Sequence, residues 1–67
     1  MDLIWKLGRK YAKGIHAINY YDDGEEFVVF LKEGWEQEGY GADSFVVGED
    51  DGEDAIKYQF SLIKRVA

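Results

Sequence analysis

The chain has no cysteine and no proline among its 67 residues. The first absence excludes disulfide staples and thiolate metal sites, and the second leaves no proline-bearing linker at which to divide the chain. Histidine occurs once, at His16. Nucleophile activation and tight transition-metal sites need a base with an orienting partner, or several imidazoles, so His16 reads as a structural or surface residue. No apolar run approaches the roughly 20 residues that cross a bilayer, and no membrane partner is expected. The start, MDLIWKLGRK, lacks a basic leader, an uninterrupted apolar stretch and a small-residue cleavage site, so it does not read as a signal peptide. With zero cysteine, the reading is an intracellular, cytoplasmic protein.

Basic residues are scarce where it matters most. Thirteen of the fourteen carboxylates lie between Asp22 and Asp54, a window whose only cation is Lys32. The flanks are basic: Lys6, Arg9, Lys10 and Lys13 stand before the window, and Lys57, Lys64 and Arg65 after it. The overall charge of −6 therefore hides a segregation that sets the sign of the field a partner meets first.

The length permits one domain, residues 1–67. A domain this small buries only about 60% of the surface its unfolded chain exposes, and without a staple the core or an oligomer must hold the fold. Aromatic residues at 16% of the sequence fit that demand, because each ring buries a large area. They also argue against disorder, since acidic disordered chains are poor in aromatic and β-branched residues.

Leu3, Ile4, Leu7 and Tyr11 form one stripe of a helix, and Lys6, Arg9, Lys10 and Lys13 form another. A helix is expected over 2–13, with Asp2 as its cap and Gly14 as its terminating glycine, although Gly8 is unfavourable in its interior and Leu3, Trp5 and Leu7 also alternate as a strand would. Residues 15–31 read as a hairpin: IHAINYY, a DDGE turn with glycine where positive φ is cheap, and EFVVFLK. Residues 33–44 read as a loop, 45–47 as a short apolar run, and GEDDGED as a turn too acidic and glycine-rich for regular structure. Ile56, Tyr58, Phe60 and Leu62 alternate with Lys57, Gln59, Ser61 and Ile63, which predicts a final strand. The expected fold is α+β, with one N-terminal helix packed on a small antiparallel sheet of three to four strands.

The acidic segments invite a calcium reading, but a calcium loop needs oxygen ligands at its first, third and fifth positions with glycine sixth. Setting Gly52 sixth puts Val47 first; setting Gly24 sixth puts Phe30 where the closing glutamate belongs. Neither register works, so no metal and no cofactor are expected. Paired carboxylates suit glycoside chemistry, yet a domain this small rarely encloses the pocket of several hundred Å³ that a substrate needs, and no enzymatic role is expected.

What remains is surface. Carboxylates spread over turns with aromatics among them suit a basic groove on a partner protein, and the grooves most worth blocking are those that bind nucleic acid. The residues expected to form this face are Asp22, Asp23, Glu25 and Glu26 at one turn, and Glu49, Asp50, Asp51, Glu53 and Asp54 at another. Trp35, Glu36, Glu38, Tyr40 and Asp43 complete it from the loop between, with Trp35 and Tyr40 as anchors. Size and charge, not a motif, place the chain beside small inhibitors such as the anti-CRISPR and anti-restriction proteins of phages, which would put it in a host cell. Acidity that merely keeps a small domain soluble is the plain alternative. Two further expectations stand beside it: a self-associating structural or adaptor domain, such as a homodimer, and a weak nucleic-acid binder that uses Lys6, Arg9, Lys10 and Lys13 with Trp5 stacking.

Overall fold

Phe27, Val29 and Leu31 are buried while Val28 and Phe30 between them are only half covered, the period-two signature of a strand with one face on a core. That strand is the centre of the molecule. The computed structural model describes residues 2–67, in the order α1 (Asp2–Lys10), a 3-10 turn (Ala12–Gly14), β1 (Ile15–Tyr21), β2 (Glu26–Leu31), β3 (Trp35–Gln37), β4 (Ser44–Gly48), a second 3-10 turn (Glu49–Asp51), α2 (Glu53–Ser61) and β5 (Ile63–Arg65). β2 lies between β1 and β4, antiparallel to both. β3 and β5 form a separate antiparallel pair. The protein is thus a mixed α+β fold.

The core joins Ile4 and Leu7 of α1, the three inward residues of β2, Phe45 and Val47 of β4, Ile56 and Phe60 of α2, and Ile63 of β5. The N-terminal stripe read from the sequence is the buried one. The helix is shorter than the expected 2–13, however: it stops at Lys10, and Ala12–Gly14 tighten into the 3-10 turn. Gly14 does not end it by adopting positive φ. A Cβ there would lie 2.4 Å from Cε3 of Trp35, so this glycine exists to let the indole close over the chain. Capping by the Asp2 side chain lies outside what the structure describes. His16 is exposed and sits at a register shift between Ile15 and Ala17, the mark of a β-bulge.

The hairpin is where the sequence places it, with one correction. Positive φ falls on Glu25, at 51°, and not on Gly24. A non-glycine residue in this region is strained by about 1–2 kcal/mol. The loop read over 33–44 also contains β3, whose Gln37 is buried and donates through Nε2 to the Gln59 side-chain oxygen at 2.8 Å and the Gln59 carbonyl at 3.2 Å.

The final strand and the irregular acidic turn are both overturned. Residues 53–61 are helical, and only Ile63–Arg65 are extended. The alternation of Ile56, Tyr58, Phe60 and Leu62 is accidental: Ile56 and Phe60 are buried but Tyr58 is 56% exposed. Ile56 and Phe60 carry the real period, one helical turn apart at i and i+4, and Ile63 reaches the core from β5. The preceding acids assist, because Glu53 and Asp54 occupy the first turn of α2, at the positive end of the helix dipole. Glu53 also meets Lys57 one turn on, at 3.6 Å, an exposed pair of small value. Gly52, at φ 97°, turns the chain between the 3-10 turn and α2, a conformation natural only to glycine.

The helical register makes a direct prediction. Phe60→Ala should cost about 3–5 kcal/mol, much of what a domain of this size holds, and should abolish a cooperative melt by circular dichroism. Tyr58→Ala should cost less than about 1 kcal/mol. Equal losses at the two positions would restore the strand reading.

Candidate functional site

The antiparallel register decides where the acids go. β1 ends and β2 begins at the hairpin turn 22–25, and Glu26 pairs with Gly48, the last residue of β4. The chain leaving β4 therefore emerges beside the hairpin turn, and the Glu49 amide donates to the Glu25 carbonyl at 3.4 Å. Two acidic segments more than twenty residues apart in sequence form a single end of the sheet. Asp22, Asp23, Glu25, Glu26, Glu49, Asp50 and Asp51 are all exposed there, and Glu53 and Asp54 follow at the start of α2.

These carboxylates are not equivalent. Asp51 accepts the Gly48 amide at 2.7 Å, and Glu53 is paired with Lys57. Among the described residues, the side chains of Asp22, Asp23, Glu25, Glu26, Glu49 and Asp50 make no hydrogen bond and no ion pair. Six charges without internal partners thus face solvent from one end.

The remaining expected residues lie elsewhere. β2 runs about 17 Å from Glu26 to Leu31 at strand rise, and the Leu31 amide bonds the Asp43 carbonyl at the far end. Trp35 packs over Gly14 and Ile63 there, half-buried. It is a piece of the fold, not a free anchor. Glu36 is half-buried opposite Lys64 in the β3–β5 pair. Glu38 and Tyr40 lie in the loop that returns to Ala42, Tyr40 being 67% exposed. An open cleft of about 560 Å³ runs along this end, with Glu33, Glu36 and Asp43 among its lining. The single acidic face read from the sequence is therefore two separate regions.

The aromatics at the acidic end are ones that sequence reasoning missed. Tyr20 and Tyr21 directly precede Asp22, and that adjacency was the available signal. Tyr20 pairs across the strands with Phe27, their rings 4.8 Å apart. Trp5 comes from α1 and meets Phe27 edge-on at 5.7 Å, so it does not lie with the basic stripe. The stripe instead has Arg9, Lys10 and Lys13 around a cleft of about 410 Å³ shared with Tyr11, Ala12 and Trp35.

No protein-family model, curated protein or solved structure matches this chain. No group of three or more His, Asp or Glu side chains among the described residues is placed to hold a metal ion, and no helix among them is long and apolar enough to cross a membrane.

Tyr20 senses this end of the sheet. Partial burial, and then the charges of Glu49, Asp22 and Glu25, raise the Tyr20 phenol above the ordinary 10.0. The neutral phenol is the form the fold favours, so its contribution to stability is intact below about pH 10 and is lost as pH rises through the raised value. In an NMR titration of tyrosine ring resonances, Tyr20 should titrate above that ordinary value, and Glu49→Gln should bring it down. An unmoved Tyr20 in that variant would mean that the field does not reach the ring.

Proposed function

We propose that this protein is a small binding module whose acidic end docks on a basic surface of a partner protein, of the kind that otherwise holds nucleic acid. The observation that supports it is the convergence of the two acidic turns, with six carboxylates left without internal partners. Like charges gathered this way repel one another and destabilise the compact state, whereas carboxylates serving only solubility gain nothing from being crowded. A partner's lysines and arginines relieve the repulsion and are steered toward it. Exposed rings beside the charges supply the apolar contact that ion pairs at a solvated rim do not. Occupation of a nucleic-acid groove would make such a module an inhibitor.

The test compares the wild-type chain with a variant carrying Asp22→Asn, Asp23→Asn, Glu25→Gln, Glu26→Gln, Glu49→Gln and Asp50→Asn, and sparing Asp51, whose carboxylate holds a backbone amide. Immobilised wild type should retain a basic host protein at about 50 mM salt and release it toward 1 M, where screening shortens to about 3 Å. Double-stranded DNA should compete, and the neutralised variant should retain nothing. Equal retention by both chains would sink the reading.

A second reading has its own observation. The sheet face turned away from the helices carries Tyr21 and Val46, 48% and 51% exposed, beside the half-buried Val28 and Phe30. Cross-strand pairing sets Val28 against Val46 and Tyr21 against Glu26, so these residues share one surface. Two such faces, one from each copy, would bury each other in a homodimer. Sedimentation equilibrium decides it: Val46→Lys should convert a dimer to monomer, and a wild-type monomer at high micromolar concentration removes the reading.

A further inference from the structure

The acidic end holds a hollow of about 280 Å³ lined by Trp5, Tyr20, Phe27 and Glu49. Phe27 is its floor, 2% exposed. Trp5 stands edge-on to that floor, with 86° between the ring planes, and Tyr20 leans over it at 41°. Both walls come from different elements, α1 and β1, and both stay open to solvent at 43% and 47% exposure. Aromatic rings left this exposed beside a cavity are open to a ligand, and the face of such a ring attracts a cation. The chain does not supply one: among the described residues, the one cation placed over a ring is Lys10 on Tyr11, in the basic stripe.

Charge selects the occupant further. Glu49 lies at the wall of the hollow, and Asp22 and Glu25 are near enough to act on the Tyr20 phenol. A cavity with aromatic walls and a carboxylate rim suits a flat cation that can lie against a ring while donating hydrogen bonds sideways. Guanidinium meets both demands. It is planar and weakly hydrated, stacks on aromatic faces, and offers a fork of donors to a carboxylate, whereas ammonium is a compact, strongly hydrated point charge.

We propose that the Trp5–Tyr20–Phe27 cup, with Glu49 at its wall, receives an arginine side chain of the partner protein. This rests on the acidic end being the docking surface and adds what the charges alone do not give, a preference for arginine over lysine. It also sets the register of docking, because one partner residue must enter one hollow.

The experiment uses hexaarginine and hexalysine peptides at about 50 mM salt, with affinity measured by calorimetry and the site by two-dimensional NMR. Equal peptide charge gives both the same long-range attraction to the acidic turns, and the Trp5 and Tyr20 variants separate the cup from the better fit of guanidinium to any exposed carboxylate. Hexaarginine should bind about fivefold tighter, the scale of a cation–π contact at an exposed site. It should move the Trp5 indole N–H resonance and leave that of Trp35 in place. Trp5→Leu and Tyr20→Leu should each lower hexaarginine affinity about fivefold and barely change that of hexalysine, while Trp5→Phe, which keeps a ring, should retain most of it. Should a leucine variant fail to fold, the comparison of the two peptides and the indole shift on the wild type still decide. Equal affinities with an unmoved Trp5 indole overturn the cup and leave the acidic end as a docking surface. Binding of neither peptide overturns both.

Discussion

Phe60 is the residue on which the two layers close. It is fully buried, stands edge-on to Phe45 of β4 at 5.4 Å, and lies tilted against Tyr11, beyond the end of α1, at 6.2 Å. One ring on α2 therefore meets the sheet and the N-terminal segment together. Edge-to-face pairs of this kind add to the area they bury, which matters in a chain with no covalent cross-link and a small core. The residue before it extends the same turn of helix to the second sheet. Gln59 accepts from the buried amide of Gln37, so β3 is tied to α2 by a satisfied polar contact in addition to the apolar packing of Trp35 and Ile63 on the core. Satisfaction is essential there, because an unpaired amide at the Gln37 position would cost about 1–3 kcal/mol.

The path of α2 also fixes the distribution of charge. To bring Ile56 and Phe60 down onto the sheet, the chain leaving β4 has to turn back at once, and it does so through Glu49–Asp51 and the positive-φ Gly52. That turn is held by the contact of Asp51 with Gly48 and is laid against the hairpin by the amide of Glu49. Some of the acidity is thus spent on architecture, in a helix first turn and in one backbone contact. The acids left over are those of the hairpin turn, together with Glu49 and Asp50. The structure separates these roles where composition merged them.

How far the sequence could be read follows from the same residues. The hairpin was legible because β-branched and aromatic runs on either side of DDGE admit little else, and the N-terminal helix because Ile4, Leu7 and Tyr11 keep one spacing. α2 was misread because Ile56 and Phe60 are four apart, a separation that satisfies both a period of two and a period near 3.6. Tyr58 and Leu62 then completed the wrong pattern. Burial separates the two, and burial is not local information. The correct signal was polar: glycine, then Glu-Asp, then a lysine four residues after the glutamate. The candidate site was legible as two acidic turns but not as one end, since their meeting depends on the Glu26–Gly48 register. The surroundings of the two tryptophans were hidden for a related reason. Trp35, flanked by glycines and acids, resembles an exposed loop residue until Gly14 is seen beneath it. Trp5 sits one place off the buried stripe, and nothing local to α1 reveals that Phe27 and Tyr20 wait beside it.

Strain and repulsion coincide at the acidic end. Glu25 holds a backbone conformation that glycine would adopt freely, although Gly24 stands next to it, and its charge adds to a cluster with almost no neutralising cation. A sequence shaped only for stability would move the glycine one place along and disperse the acids, since neither change touches the core. Such departures from local rules are expected where a surface serves something beyond the fold. Coulomb repulsion among exposed carboxylates is long-ranged and screened by salt, while the strain at Glu25 is local and is not. Relief by a bound cationic surface would act on the first alone. The part of a partner's gain that comes from relieved repulsion would therefore weaken with salt, and the part that comes from the exposed rings would not. The cost of gathering the acids at this end falls on folding, so a partner of the kind proposed would meet charges already in place.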